Sequence, residues 1–362
     1  MSAALALLAD IKVAHSVFAL PFALLAAFLA ATDGGSIDWS RFGPQLALIV
    51  ACMVLARTVA MLSNRLLDRD IDARNPRTAD RSLPTGTASV TLVRASIAVS
   101  SLAFILCCGM FAILWSNWWP LLLSVPVLAW LAAYPLLKRR TALCHIYLGL
   151  SLAMSPLAAG LAVSPQSLEQ PVMWLLAAMV MCWVAGFDVI YALQDVDVDR
   201  QEGLHSIPAR LGVGRALWMS RLLHGTAVAA LVAIWVTDPQ LGWVFVGATI
   251  VVAALLIIEH ATVHLWGTSR IALTFFMLNG LVSLVLGAAG IVDVLQYSAG
   301  SPRGDEHEQI RDINGTTAVN ILRPTACAPG PNDQQEIGHI DRTVSVDIFG
   351  TGDFPVDVHR QC

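Results

Sequence analysis

Residues 172–199 read VMWLLAAMVMCWVAGFDVIYALQDVDVD. No charged residue falls between Val172 and Phe187, and then four aspartates follow: Asp188, Asp195, Asp197 and Asp199. About 20 apolar residues is the length that carries a helix across the hydrocarbon core of a bilayer. The run does not alternate, so it reads as helix and not as a barrel strand. Helices and closed barrels are the structures that satisfy their own backbone in lipid. The stretch therefore reads as a membrane helix with acids gathered at one end.

Working outward, eight further blocks of similar character are found. The expected spans are 13–32, 45–66, 90–114, 118–137, 143–163, 172–193, 216–236, 241–259 and 271–294. The fold class is all-α: a polytopic membrane protein with nine transmembrane helices bundled around a central cavity. Composition agrees. Of the 362 residues, 56% are hydrophobic and 13% are charged, and the mean hydropathy is +0.67. A soluble domain carries roughly 25% charged residues. A disordered chain, a nucleic-acid binder and an ordinary soluble enzyme are excluded, and the lipid bilayer is the first partner implied. Several spans are rich in Ala, Gly and Ser, which lets helices approach closely.

The net charge of −4 is unevenly placed. Residues 301–362 carry five Arg against ten Asp or Glu, which leaves the rest of the chain near neutral. No basic stripe exists, so nucleic acid is not a partner. Two regions follow: a membrane domain over 1–297 and a polar tail over 298–362, expected to be mostly disordered because no long period of 2 or 3.6 runs through it. Cys52, Cys107, Cys108, Cys144 and Cys182 lie in or beside apolar blocks without metal spacing, and read as small core residues. Asp10 and Lys12 interrupt the apolar N-terminus, so the first block reads as a membrane helix and not as a cleaved leader.

The acids concentrate in two clusters. Asn64, Asp68 and Asp72 are spaced i, i+4, i+8, so a helix stacks them on one face. Asp188, Tyr191, Asp195 and Asp199 share a face in the same way. Carboxylates one turn apart repel unless a cation lies between them. Oxygen-only ligands point to a hard ion such as Mg²⁺, which is held by one or two carboxylates together with substrate phosphates. Asp188 stands about a turn and a half inside its span, where an unpaired charge costs roughly 2.5–3.5 kcal/mol. Such a residue faces a cavity or a partner. Arg57 lies on the face of Asn64, two turns deeper, and Tyr134 and Lys138 form an i, i+4 pair at a span end. Asp70 and Asp197 fall off the shared faces and read as solvated. Arg139 and Arg140 read as orientation charges, His15 as structural, and Trp115, Trp118, Trp119 and Trp130 as interface belt and packing. An apolar cavity capped by Mg²⁺ suits a lipid diphosphate, with metal and lysine stabilising the departing head.

These motifs resemble the UbiA superfamily of intramembrane prenyltransferases, over about residues 10–295. They are most similar to its 4-hydroxybenzoate polyprenyltransferase branch and that branch's menaquinone-pathway relatives. The likeness rests on Asn64-x-x-x-Asp68-x-x-x-Asp72, Asp195-x-x-x-Asp199-Arg200 and Tyr134-x-x-x-Lys138. It is extended by the stretches 18–22, 72–78 and 203–208. The resemblance implies Mg²⁺-dependent transfer of a polyprenyl group from its diphosphate to a ring carbon of an aromatic acid. 4-Hydroxybenzoate comes first, for ubiquinone, with a dihydroxynaphthoate for menaquinone as the alternative. It implies that Asn64, Asp68, Asp72, Asp195 and Asp199 hold diphosphate through Mg²⁺. Arg57 and Lys138 would contact the diphosphate or the acid, Tyr134 would line the reaction centre, and Asp188 and Tyr191 would meet substrate. It also implies a multi-pass protein of the cell inner membrane. Arg65 departs from the pattern, standing where many members carry an Asp.

Two other classes fit the sequence less well. A CDP-alcohol phosphotransferase needs an Asp-Gly-x-x-Ala-Arg block, which is absent. An ion-coupled transporter needs charges near the middle of several spans, whereas these acids gather at one face.

Basic residues favour the loops after spans 2, 4, 6 and 8, and the positive-inside rule places those loops, the N-terminus and the acidic clusters in the cytoplasm. With nine spans, a reporter fused after Cys362 is expected to signal from the far side of the membrane. A cytoplasmic signal would remove one span.

Overall fold

In a computed structural model of the chain, the described residues are Leu7, 18–32, 35–268, 271–300, 307–311 and 318–322. The helices, in chain order, are α1 (Leu20–Ala31), α2 (Trp39–Arg74), α3 (Val90–Trp115), α4 (Trp119–Leu137), α5 (Cys144–Val163), α6 (Pro171–Tyr191), α7 (Val196–Gln201), α8 (Ile207–Leu211), α9 (Val213–Thr237), α10 (Trp243–Trp266) and α11 (Ile271–Gly300). Pro165–Glu169 and Ala192–Asp195 form 3-10 turns.

Among the described residues, eight helices are long and apolar enough to cross a membrane, where nine spans were expected. The exception is α1, with 12 residues. It begins beside Pro21, whose missing N–H suits the first turn of a helix. Residues 13–17 of the expected first span, and with them His15, lie outside the described residues.

The helix α2 is much longer than its apolar block. Asp38 caps it, accepting the backbone N–H of Ser40 at 3.0 Å, and it runs for 36 residues to Arg74. At 1.5 Å per residue that is about 54 Å, against about 30 Å of hydrocarbon. Its last turns therefore project past the apolar slab, and they carry Asn64, Asp68 and Asp72. At the end of α6 the chain does not continue as one helix. The tighter turn Ala192–Asp195 intervenes before α7.

The most buried of the eight spans contains α6, which packs against α5 and α9. Two glycines permit this. A Cβ on Gly149 of α5 would lie 2.4 Å from the Met181 carbonyl oxygen of α6, and one on Gly186 would lie 2.3 Å from the His224 ring of α9. Helix α11 closes against α1 in the same manner, Gly287 over Pro21 and Gly290 over Leu25. Phe22, Trp183 and Phe187 form an edge-to-face aromatic core between α1 and α6. The Trp183 indole donates to Asn279 (2.9 Å), whose amide donates to Glu259 (2.8 Å), joining α6, α11 and α10. The five cysteines at 52, 107, 108, 144 and 182 are free thiols. Trp118 and Trp119 are exposed, as a belt requires.

The tail forms a separate unit, Gly300–Cys362. It holds two paired segments that the sequence reading did not anticipate, β1 (His307–Arg311) and β2 (Ala318–Leu322). They are antiparallel, with His307 opposite Leu322. Val319 and Ile321 alternate with their neighbours, a pattern of period 2 too short to register as a core-building run. Other tail residues, including Cys327 and Cys362, lie outside the described residues.

Substituting Gly149→Ala is expected to destabilise the bundle. Alanine gains up to about 1 kcal/mol of helix propensity, but overpacking against a backbone carbonyl costs roughly 1–3 kcal/mol. Gly225→Ala, on α9 with nothing within 4 Å of its Cβ position, should instead stabilise. Opposite shifts of the melting temperature in detergent would bear this out; equal shifts would refute it.

Candidate active site

A cavity of about 810 Å³ opens among α2, α4, α5 and α6. Arg57, Asn64, Asp68 and Asp72 line it from α2, and Tyr134 and Lys138 from the end of α4. Asp188, Tyr191, Asp195 and Asp199 line it from α6 and the segment that follows. Every residue singled out from the sequence for this site thus borders one space. Asn75, Arg77, Arg81, Arg139 and His145 also border it, and the deeper lining is mainly apolar, with Phe104, Phe111, Leu131 and Trp130. Trp130 is consequently a cavity residue as well as packing: its ring stacks on Tyr147 at 4.1 Å, and its indole donates to Ser151. Asp70 and Asp197 are exposed and do not line the cavity.

Each acid of the two rows has a polar partner. The Arg77 guanidinium forks onto Asp195, Nε to Oδ1 at 2.9 Å and Nη2 to Oδ2 at 2.5 Å. Asn75 adds a third donor to Asp195 at 3.1 Å, and Arg77 also reaches the Tyr191 hydroxyl at 3.1 Å. Arg81 Nη1 lies 2.7 Å from both oxygens of Asp72. Asp68 takes Arg139 at 3.2 Å and the Asn64 amide at 3.0 Å. Lys138 Nζ meets Asp199 Oδ1 at 2.7 Å. Burial alone would lower the Lys138 pKa, but the Asp199 carboxylate raises it above the ordinary lysine value, so the ammonium persists at neutral pH. The buried Arg65 donates to Asn64 Oδ1 at 2.8 Å and so orients that amide.

Asp188 differs. Its Oδ2 lies 2.7 Å from His145 Nδ1 at the first turn of α5, and His145 Nε2 accepts the backbone N–H of Ile207 at 3.2 Å.

Several of these partners escaped the sequence reading. In the sequence Arg77 and Arg81 stand only as basic residues of the loop after the second span. Arg139, read as an orientation charge, reaches an acid of the first row. His145 was overlooked, although a histidine opening an apolar span with a buried acid elsewhere in the membrane is a pairing signal. The two loops also meet. Arg74 forks onto Glu202 at 2.7 and 2.6 Å, and the backbone N–H of His205 donates to the Lys138 carbonyl at 2.8 Å.

Comparison with known proteins gives the same frame. Residues 19–281 match the UbiA prenyltransferase family. The chain belongs to that family. It is a multi-pass membrane prenyltransferase. A 4-hydroxybenzoate octaprenyltransferase of Citrobacter koseri is 32% identical over 245 residues, 67% of this chain and 80% of the relative. The corresponding enzyme of Tolumonas auensis is 29% identical over 202 residues, 55% of this chain and 68% of the relative. Among solved structures, a UbiA homologue of Aeropyrum pernix K1 superposes with a TM-score of 0.67 at 35% identity, covering 77% of this chain and 98% of that one. A UbiA homologue of Archaeoglobus fulgidus bound to DMAPP and Mg²⁺ shares the fold, with a TM-score of 0.60 at 17% identity over 80% of this chain and 99% of that one.

Among the described residues, no three His, Cys, Asp or Glu converge closely enough to hold a metal unaided. The donor chemistry nevertheless fits Mg²⁺. The facing side chains offer oxygen ligands, and Asp199 Oδ2 is buried without a hydrogen-bond partner among the described residues.

Lys138→Met would strand the Asp199 carboxylate, which is 1% exposed. Removing one partner of a buried ion pair costs about 3–5 kcal/mol. A lowered melting temperature in detergent is expected, recovered largely by adding Asp199→Asn. No recovery in the double variant would show that the pair does not stabilise the fold.

Proposed function

We propose that this chain transfers a polyprenyl group from polyprenyl diphosphate to a ring carbon of an aromatic acid, 4-hydroxybenzoate, in respiratory quinone synthesis. The observation that carries the reading is one shared space: two rows of acids, a lysine and two arginine-bearing loops face a cavity whose other walls are mainly apolar. The relatives named above, called 4-hydroxybenzoate octaprenyltransferases, support the choice of acceptor. The Archaeoglobus fulgidus homologue bound to DMAPP and Mg²⁺ supports the choice of donor.

In this reading the isoprenoid tail lies along Phe104, Phe111 and Leu131 while its head meets the acid rows. Asn64, Asp68, Asp72, Asp195 and Asp199 would hold Mg²⁺ together with the diphosphate oxygens. Bound there, Mg²⁺ would draw negative charge from the departing diphosphate. Lys138 and Arg57 add fixed positive charge on the same wall, Lys138 turning from Asp199 toward the leaving oxygen. As the carbon–oxygen bond breaks, Trp130 and Tyr134 face the allylic cation with electron-rich rings. The apolar wall keeps water from capturing that cation before the acceptor ring does. We further assign the protein to the inner membrane, with this site on the cytoplasmic side.

The test is product identification by mass spectrometry. Membranes holding the chain receive an allylic polyprenyl diphosphate with either 4-hydroxybenzoate or 1,4-dihydroxy-2-naphthoate. Prenylated hydroxybenzoate is expected, and chelation of divalent cations should abolish it. Asp68→Ala should lower the rate by about 100-fold or more. Product from the naphthoate alone would transfer the assignment to menaquinone. Absence of both products would overturn it.

A further inference from the structure

We infer that Asp188 is the base that accepts the proton displaced from the acceptor's ring carbon, and that His145 is the positioning residue that holds it for this. The inference rests on the aromatic acceptor proposed above. It begins from a difference in partners. The other cavity acids are each bonded to a cation: Asp68 to Arg139, Asp72 to Arg81, Asp195 to Arg77 and Asp199 to Lys138. A carboxylate held in such an ion pair has an oxygen committed to its cation. Among the described residues, Asp188 is held by a histidine instead.

The protonation of that histidine follows from its other contact. The Ile207 N–H points at Nε2, so Nε2 supplies a lone pair and the ring proton sits on Nδ1, facing Asp188 Oδ2. His145 is 3% exposed and packed at the start of α5. Ile207 is fixed in its turn, at the start of α8, where the Ser206 hydroxyl accepts the Ala209 N–H. Anchored at both ring nitrogens, the imidazole holds Asp188 Oδ2 in one place. Its effect is to orient Asp188, whose Oδ2 it engages. Asp188 lines the same cavity as Tyr134, Tyr191, Asn64 and Asp68.

The chemistry needs such a group. The bond from the prenyl carbon to the diphosphate oxygen breaks, its electron pair leaving with the diphosphate. A ring-carbon electron pair forms the new carbon–carbon bond. That ring carbon then loses its hydrogen as a proton to Asp188, and the carbon–hydrogen pair restores the aromatic ring. The proton passes from Asp188 to water as product leaves.

The experiment uses the full-length protein in membranes, an allylic polyprenyl diphosphate, and 4-hydroxybenzoate with or without deuterium at the carbons beside the hydroxyl-bearing carbon. In the natural chain the rate should be insensitive to deuterium. In Asp188→Asn, kcat should fall about 100-fold or more while KM for the acid changes little. The deuterated acid should then react more slowly, because loss of the ring hydrogen has become limiting. Asp188→Glu should recover part of kcat and lose the isotope effect. His145→Asn keeps a donor near the Nδ1 position, whereas His145→Gln keeps an acceptor near Nε2. The Asn variant should retain more activity than the Gln variant. Unchanged kcat or an isotope-insensitive loss in Asp188→Asn would overturn the base assignment, and the reverse order of the His145 variants would overturn the positioning role. If Asp188→Asn fails to reach the membrane, Asp188→Glu and the His145 pair decide the matter by the same isotope comparison. If the natural chain makes no prenylated acid, the acceptor reading fails first, a result distinct from product formation without isotope sensitivity.

Discussion

A carboxylate carried to the edge of a hydrocarbon slab must find a counter-charge or a donor. The rest of this structure depends on that requirement. Asp195 is 6% exposed and Asp199 1%, so neither can rely on water. Arg77 and Lys138 answer them, and each comes from a different part of the chain. Compensating the acids therefore draws the segment after α2, the end of α4 and the turn after α6 into one cluster. The loops owe their shape to the charges as much as to their own turns.

The same requirement explains how a helical bundle keeps a polar hollow. Glycine contacts let α5 lie close to α6 and α11 close to α1, which packs one half of the bundle tightly. The half bounded by α2 and α4 has no comparable glycine contact among the described residues, and the cavity lies there. Membrane helices gain little from burying apolar surface against one another, so backbone approach at small residues and a few polar contacts decide where they close. Here the polar contacts decide where they stay apart.

Much of this was legible in the sequence. Apolar block lengths located the long helices, and the i, i+4 spacing of Asn64, Asp68 and Asp72 put them on one wall of the cavity, since α2 continues unbroken through them. The second row was harder, because the 3-10 turn at Ala192–Asp195 breaks the helix that the spacing assumes, yet Asp195 and Asp199 still reach the same space. What remained hidden was pairing across distance. Arg77 and Asp195 are 118 residues apart, His145 and Asp188 are 43 apart, and periodicity carries no information about which helices become neighbours. Of the expected first span only 18–32 are described, and there the helix begins beside Pro21.

The length of α2 has a further consequence. A single helix of about 54 Å, with its one internal proline, Pro44, near its start, links the lipid-embedded half of the bundle to Asn64, Asp68 and Asp72. Such a helix answers a change in membrane thickness by tilting. Tilt swings its protruding tip through a larger arc than its buried middle, while the facing acids ride on other helices. The gap between the rows is thereby geared to the width of the surrounding lipid, and membrane composition becomes a dial on the distance across which the two walls must cooperate.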